Sequence, residues 1–367
     1  ARPMKIRRVE AIPVAVPFTH SGPPVDLGGP VWRTLAHVLV RVDTDDGITG
    51  YGESFGFAGA RATKEFIDHV VAPALAGREV DDPAVLAEWL RLRLVAYGTG
   101  GIVAFALAGV DIGLWDVAAK MAKQPLSRLL GGTPRRHIAV TPALLSYGDP
   151  EGVGAVAREA AKEGFERVKV RETTFDAWAA ARRAVGPDVE LTVDADCAWS
   201  PQQAIEAAPF LERLGIRCLE EPTWPPDDAA ALAKVREATA LSIAAGEHAG
   251  SSRELRSMLE ARAVDLLQPS LTRLGGISEY LVAAKLARSH GVALAPQSAS
   301  FGPGFAATVQ LAACTDDVRS IELPYVRLDP DLYEGALEIK GGEIEVPQRP
   351  GLGVDPDPAV LRRFRMD

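Results

Sequence analysis

The feature that most constrains the fold is a regular alternation of short apolar segments and amphipathic segments that begins at residue 137. Eight apolar segments have the length and composition of β-strands, and segments with helical periodicity separate them. The predicted strands cover residues 137–145, 167–171, 190–194, 217–220, 241–245, 264–268, 292–295 and 320–323. Because strands that alternate with helices form right-handed βαβ units, eight in succession predict a parallel (β/α) barrel with its active site at the carboxyl ends of the strands.

An open, doubly wound sheet is the alternative fold. It would have a G-x-G-x-x-G turn after its first strand, and the glycine-rich run at residues 98–101 lacks that spacing.

The first 130 residues have a different pattern, with strands first and helices afterwards. Strands are predicted at residues 6–16, 36–42 and 48–53, and helices at residues 61–75, 83–95 and 101–123. This order predicts an α+β unit over residues 4–130, followed by the barrel over residues 131–325. We expect residues 18–32 to form a lid, and we expect the tail, residues 326–367, to return to the N-terminal unit with a hairpin at residues 335–346.

The composition is that of an ordinary soluble globular protein, with 47% hydrophobic and 24% charged residues. A net charge of −9 argues against a surface for nucleic acid or for an anionic membrane. Three scattered cysteines do not make a disulfide framework, and we find neither a secretory signal nor an apolar span of 18 residues. The prediction is a cytoplasmic protein.

Three predicted strands each end in a carboxylate. Asp194, Glu220 and Glu247 are 26 and 27 residues apart, which is about the length of one strand–helix unit. Carboxylates at the same end of three neighbouring parallel strands would surround one point, as hard cations such as Mg²⁺ require. The alternative is that they are solvated loop residues, as most acids are. Either Glu220 or Glu221 should face the ion while the other turns outward.

Other strand ends carry residues that could act on a substrate. Strand alternation places Lys169 and Arg171 on the luminal face, where Lys169 could be a general base or simply an ion-pair partner of the carboxylates. Asp196 shares a face with Asp194 and could support it or contact the substrate. Glu322 would face the metal from across the barrel, or lie at its rim.

Several motifs together resemble a known family. The helix Ala106-Leu-Ala-Gly-Val-Asp111-Ile-Gly-Leu-Trp-Asp116-Val-Ala-Ala-Lys120 is similar to the signature helix of the mandelate racemase/muconate-lactonizing branch of the enolase superfamily. Asp194, the Glu220-Glu221-Pro222 triplet, Gly246-Glu247-His248 and Leu274-Gly275-Gly276-Ile277 also stand where that family has its motifs. The resemblance covers essentially the whole chain.

The resemblance implies an α+β capping domain, completed by the tail, over a modified (β/α) TIM barrel that binds one Mg²⁺. The family's ligand pattern selects Glu220 over Glu221, so the implied ligands are Asp194, Glu220 and Glu247. The implied chemistry is removal of the proton α to a carboxylate to give an enediolate, a reaction that the superfamily performs with a Lys or His base and Mg²⁺. Residues 18–32 and 54–59 would be the capping loops, and the family tends to form symmetric dimers or octamers.

The acid/base positions depart from the family pattern. Arg171 stands where the second lysine of Lys-x-Lys is common, and Ser270 and Gln297 stand where an Asp–His pair can occur. Glu322 matches the acid that supports the substrate carboxylate in mandelate racemase. Because arginine keeps its proton above about pH 12, Lys169, a perturbed Arg171 or the lid residue His20 must accept the proton.

These departures leave three hypotheses. The first is a Mg²⁺-dependent lyase that dehydrates a small hydroxy or sugar acid. The second is a racemase, epimerase or cycloisomerase, and the third is a non-catalytic protein that binds a metal and a carboxylate. In the enzyme hypotheses Lys169, Arg171 and Glu322 are catalytic, and we expect His20, Asp196, His248 and Gln297 to contact the substrate.

Overall fold

An antiparallel sheet forms the first part of the chain. In the computed structural model, which describes residues 4–26, 30–80, 82–131 and 134–366, its strands are β1 (Ile6–Thr19), β2 (Thr34–Thr44) and β3 (Thr49–Ser54). The predicted strands are confirmed, but β1 continues two residues into the predicted lid. A tight turn joins β2 to β3, and Gly47 adopts a φ of 84° there, which an Asp-Gly step allows at little cost.

Helices pack against one face of this sheet. They are α1 (Ala60–Phe66), a π-helical turn (Ile67–Val71), α2 (Ala72–Leu75), α3 (Pro83–Leu94) and α4 (Ile102–Met121), with 3₁₀ turns at Phe57–Gly59 and Val95–Tyr97. Helix α4 lies so close to β3 that a Cβ atom on Gly52 would be 1.8 Å from the carbonyl oxygen of Gly109. Glycine is therefore required at this contact between helix and strand.

Helix α4 corrects one expectation from the sequence. It is a 20-residue helix with the length and hydropathy of a membrane span, although we expected no such segment, and 78% of its apolar window is buried inside the protein. Its two acids are satisfied by hydrogen bonds. Asp116 accepts from the backbone N–H of Tyr51 and of Leu352, both at 2.8 Å, and Asp111 accepts from the backbone N–H of Ser278 at 2.9 Å. The helix is thus the buried junction of the N-terminal unit, the barrel and the tail.

Eight parallel strands form the predicted barrel. They are β4 (His137–Ala143), β5 (Arg167–Val170), β6 (Glu190–Asp194), β7 (Cys218–Glu220), β8 (Ser242–Ala245), β9 (Leu266–Leu267), β10 (Ala293–Leu294) and β11 (Ile321–Pro324). Consecutive strands pair from β4 to β10, and β11 pairs with β4. Isolated bridges, including Gln297–Glu322, close the remaining gap between β10 and β11. The barrel architecture is confirmed.

Helices follow the barrel strands as the sequence predicted. They are α6 (Pro150–Lys162), α7 (Phe175–Val185), α8 (Pro201–Arg213), α9 (Ala229–Ala238), α10 (Ser252–Glu260), α11 (Leu271–Leu274), α12 (Ile277–His290) and α13 (Pro303–Cys314), and the short helix α5 (Leu126–Leu129) precedes the first barrel strand. Local sequence fixes several helix starts. Asp149 caps α6, and Ser200 with Gln203 forms a reciprocal capping box at α8.

The tail is divided between the two units. Strand β12 (Arg327–Leu328) pairs with β1, and helix α14 (Pro358–Phe364) is followed by a bridge from Arg365 to Val14. The expected hairpin is present as β13 (Ile339–Lys340) and β14 (Glu343–Glu345), but β14 pairs with barrel strand β4. The expectation that the whole tail returns to the N-terminal unit is therefore wrong for the hairpin. The domain boundaries after residues 130 and 325, which separate the N-terminal unit, the barrel and the tail, remain a proposal.

Candidate active site

Four buried carboxylates meet at the carboxyl end of the barrel. Asp194 and Glu220 end neighbouring strands and are in direct register, Glu247 lies two residues beyond β8, and Glu322 lies in β11. Their exposed fractions are between 0% and 8%. Carboxylate oxygens of Glu220, Glu247 and Glu322 lie within 4.8 Å of one another. We call these four residues the carboxylate cluster.

Lys169 lies inside the carboxylate cluster and is 3% exposed. Its Nζ atom is 3.0 Å from Asp194 Oδ2, 2.6 Å from Glu220 Oε1 and 2.5 Å from Glu322 Oε1. Burial alone would lower the pKa of Lys169, but the surrounding carboxylates outweigh that effect and hold the pKa well above its usual 10.5. In this arrangement Lys169 is a protonated cation, which favours contact with a substrate carboxylate over the general-base role also considered above.

The acids of the carboxylate cluster differ in their charge balance. Burial and neighbouring carboxylates raise the pKa of Glu220 well above 4.5, and burial raises the pKa of Glu322 to about 7. Burial would also raise the pKa of Glu247, but the positive charge of Arg273 and then of Lys169 lowers it to about 2. Buried oxygen donors that repel one another in this way are the donor set that a hard divalent cation fits.

Arg171 lies just beyond β5, at the mouth of the barrel. Its guanidinium forms an ion pair with Asp196, and the backbone N–H of Asp196 in turn donates to Asp194 Oδ1 at 2.8 Å. Burial would lower the pKa of Arg171, but Asp196 and Asp194 outweigh that effect and raise it. These charges favour a cationic Arg171 over a base. Its buried Nε atom has no hydrogen-bond partner in the described part of the chain.

The second acid of the Glu220–Glu221 pair turns away from the lumen. Glu221 Oε1 accepts hydrogen bonds from the backbone N–H of Gly246 at 2.8 Å and of Glu247 at 3.2 Å. It therefore ties the end of β7 to the loop after β8, as expected for the outward-facing acid.

Two polar residues at the carboxylate cluster were not identified from the sequence. Gln268 donates from Nε2 to Glu220 Oε2 at 2.9 Å, and its position at the end of a predicted strand could have indicated this. Arg273 Nη1 lies 3.2 Å from Glu247 Oε1 and 3.3 Å from His248 Nδ1. No sequence pattern indicated Arg273, because it lies in a short helix beyond the strand end.

The predicted lid brings aromatic side chains above the barrel. The ring of Trp32 is 4.9 Å from that of Phe18 and 5.4 Å from that of Phe57, so the two predicted capping loops are in contact. His20 lies beside Tyr147, with a ring separation of 5.8 Å. Burial lowers the pKa of His20 below 6.5, and its buried Nδ1 atom has no partner among the described residues. Residues 27–29 of the predicted lid lie outside the described residues.

The positions expected to hold an Asp–His pair carry neutral side chains. Ser270 and Gln297 form a strand bridge and are 0% and 7% exposed. Gln297 is also bridged to Glu322, which places it at the edge of the carboxylate cluster. Neither side chain titrates in the physiological range, so this side of the site offers no conventional proton acceptor at these two positions.

A capped parallel barrel with buried carboxylates and a lysine at its carboxyl end is typical of enzymes that act on carboxylic acids. Sequence comparison identifies that class more closely. The model for the mandelate racemase/muconate lactonizing enzyme N-terminal domain matches residues 8–131, and the model for the enolase C-terminal domain-like family matches residues 152–360. The chain belongs to the mandelate racemase/muconate lactonizing enzyme family of the enolase superfamily.

Individual relatives include both lyases and isomerases. D-galactarolactone cycloisomerase of Agrobacterium fabrum is 33% identical over 351 residues, covering 90% of this chain and 92% of the relative. Arabinonate dehydratase of Saccharolobus solfataricus is 29% identical over 338 residues, covering 89% and 90%. The crystal structure of a mandelate racemase/muconate lactonizing protein from Paracoccus denitrificans, complexed with magnesium, superposes with a TM-score of 0.87 at 28% identity and covers 99% of this chain and 97% of that one.

Proposed function

We propose that this enzyme removes the proton α to the carboxylate of a small hydroxy acid or sugar acid and then eliminates the β-hydroxyl as water. The observation that carries the proposal is the position of the Lys169 ammonium beside Glu322, at 2.5 Å, within the buried carboxylate cluster. These two groups can hold a substrate carboxylate and stabilise the charge that develops on its oxygens when the α-proton leaves.

A magnesium ion fits the same site. We propose Asp194, Glu220 and Glu247 as its ligands, in agreement with the family pattern, because they supply buried oxygen donors from three neighbouring strands. When bound, the ion would offset the repulsion within the carboxylate cluster and make the α-proton of a bound acid easier to remove. Gln268 and Arg273 would hold Glu220 and Glu247 in orientation through their hydrogen bonds.

Glu322 and Arg171 would act on the substrate carboxylate from two sides. Because burial raises the pKa of Glu322 to about 7, this group can carry a proton near neutral pH and donate it in a hydrogen bond. Arg171, with Asp196 as its partner, adds a fixed positive charge at the mouth of the barrel. An anionic substrate is therefore drawn toward the lumen and oriented there.

The proton acceptor that we propose is a neutral imidazole. Burial lowers the pKa of both His20 and His248, so each has a free lone pair on one ring nitrogen at neutral pH. A ring nitrogen of His248 lies 3.3 Å from a carboxylate oxygen of Glu247, whereas His20 lies beside Tyr147 in the lid. Replacing each histidine with asparagine shows which of the two is the base. Loss of the base abolishes α-deuterium exchange, whereas loss of a binding contact mainly raises KM.

The neutral pair Ser270 and Gln297 favours elimination over racemisation. A 1,1-proton transfer needs an acid/base group on each face of the substrate, and these two side chains cannot supply one. Elimination can proceed with one base. Opening of a cyclic sugar-acid derivative uses the same first step, and the similarity to D-galactarolactone cycloisomerase makes this the second candidate function.

The experiment is an incubation of the enzyme with Mg²⁺ and a panel of sugar acids and their lactones in D₂O. Dehydration predicts a 2-keto-3-deoxy product that has lost one water and carries deuterium from the solvent at the carbon that lost its hydroxyl group, detected by NMR and mass spectrometry. Ring opening predicts a product with a new keto group that has lost no water. Exchange with inversion and no loss of water would show a racemase, and binding without exchange for every acid would support the non-catalytic hypothesis.

We further propose that the enzyme acts in the cytoplasm as a symmetric homo-oligomer. The three free cysteines, Cys197, Cys218 and Cys314, support the first part, because reducing compartments preserve free thiols. Gel filtration with light scattering tests the second part.

A further inference from the structure

Three side chains of different chemistry meet just outside the carboxylate cluster. The Sγ atom of Cys197, a carboxylate oxygen of Glu221 and a ring nitrogen of His248 all lie within 4.8 Å of one another. They come from the segments that follow β6, β7 and β8, which are neighbouring strands of the barrel. None of the three is a ligand in the proposed magnesium site, and Cys197 and Glu221 have no role in the proposed reaction.

The orientation of Glu221 indicates that this meeting point can hold a cation. The side chain is 1% exposed, and two backbone N–H groups fix its Oε1 atom. The Oε2 atom is thereby directed at Cys197 Sγ, 3.9 Å away. The described part of the chain offers Glu221 no lysine or arginine within ion-pair distance. A buried carboxylate without a cation is unfavourable, and a metal ion on Oε2 would remove that cost.

The donor set determines which metal would bind. A thiolate and an imidazole are ligands for borderline or soft ions, whereas Mg²⁺ prefers oxygen donors. Tetrahedral Zn²⁺ with bonds of about 2.0–2.3 Å brings its ligand atoms to within about 3.3–3.8 Å of one another. The half-buried Cys197 and the exposed edge of His248 lie on loops, so a movement of about 1 Å suffices to reach that geometry.

We propose that Cys197, Glu221 and His248 form a second metal site, which takes a transition-metal ion such as Zn²⁺ or Co²⁺ and remains distinct from the magnesium site. Solvent can supply the fourth ligand, because the side chain of His248 is 32% exposed. Binding releases the thiol proton of Cys197 to solvent and draws the imidazole away from its contacts with Arg273 and Glu247. The proposal does not depend on the proposed function.

The test is a titration of the Mg²⁺-saturated protein with Co²⁺, followed by absorption spectroscopy. We expect one equivalent of Co²⁺ to bind and to produce the near-ultraviolet charge-transfer band of a cobalt–thiolate bond, and Zn²⁺ to displace it. The band should be lost in Cys197→Ser and retained in the matched control Cys314→Ser, whose thiol is also half-buried. His248→Gln should weaken Co²⁺ binding by about tenfold or more.

A second measurement uses the unmodified protein and so does not depend on the folding of a variant. Zn²⁺ should protect Cys197 from alkylation by iodoacetamide, as mapped by mass spectrometry, and should leave the alkylation of Cys314 unchanged. Three results would overturn the proposal: Co²⁺ binding without a thiolate band, a band that persists in Cys197→Ser, or bound Co²⁺ that added Mg²⁺ displaces, since the last would place the ion in the carboxylate cluster.

Discussion

Glu53 connects three parts of the molecule, and its replacement by glutamine tests how this junction is held. The residue lies in β3 and is 0% exposed. Its Oε2 atom accepts hydrogen bonds from the backbone N–H of Gly302 at 3.2 Å and of Gly304 at 2.9 Å, at the start of α13. Tyr333 from the tail packs at the same point. Its hydroxyl is so close to Gly302 that a Cβ atom added to this glycine would lie 2.1 Å from it.

The size of the effect follows from the pKa of Glu53. Burial raises the pKa from 4.5 to about 7, although the backbone N–H groups of Gly304 and Gly302 oppose the rise. A raised pKa means that the folded state binds the proton more tightly than the unfolded state. The resulting stabilisation is fully present below about pH 4.5 and is lost as the pH rises through 7, and it amounts to at most about 3 kcal/mol.

The glutamine of Glu53→Gln has no carboxyl proton to lose, so the variant should not lose stability as the pH rises through 7. We expect the variant to gain about 3 kcal/mol in free energy of unfolding relative to the wild type between pH 5 and pH 8.5. Urea unfolding at a series of pH values measures the difference, and Glu343→Gln at an exposed strand position is the control. Parallel pH profiles for Glu53→Gln and the wild type would refute the reasoning, because they would show that Glu53 is equally easy to ionise in both states.

Two further substitutions test the site and the fold. Lys169→Met removes the ammonium that contacts three buried carboxylates, so it should lower the free energy of unfolding by about 3–5 kcal/mol at pH 8. Saturating Mg²⁺ should recover part of that loss in urea unfolding, and an equal loss with and without the ion would contradict the proposed charge balance. Gly52→Ala should cost about 1–3 kcal/mol or more, because the new methyl group would lie 1.8 Å from the Gly109 carbonyl oxygen. Gly100→Ala, which has open space around it, is the control. Equal stability of these two glycine variants would show that helix and strand can separate without cost.

The barrel could be predicted from the sequence because each of its strands and helices is determined by a short, continuous segment of the chain. Each strand is a short apolar segment between amphipathic helices, and the carboxyl ends of parallel strands meet at one edge, so Asp194 and Glu220 could be placed together before any coordinates. The same reasoning left Glu322 with two positions, facing them across the barrel or lying at its rim. Register, periodicity and connection handedness carried these predictions without any knowledge of tertiary contacts.

Properties that depend on several distant charges were not predictable in this way. The protonation of Lys169 results from three carboxylates on three different strands, and the sequence alone left both the base role and the ion-pair role open. Arg273 reaches Glu247 from a short helix whose direction no periodicity encodes. The pairing of β14 with β4 was missed because a two- or three-residue strand can pair with any free edge.

The proposed function depends on which acids bind the metal, and a calorimetric titration with Mg²⁺ tests this most directly. The carboxylate oxygens that lie within 4.8 Å of one another belong to Glu220, Glu247 and Glu322. The proposed ligand set contains Asp194 in place of Glu322. We predict that Asp194→Asn abolishes Mg²⁺ binding and that Glu322→Gln retains it while losing α-proton exchange. Loss of binding in Glu322→Gln together with normal binding in Asp194→Asn would contradict the proposed site.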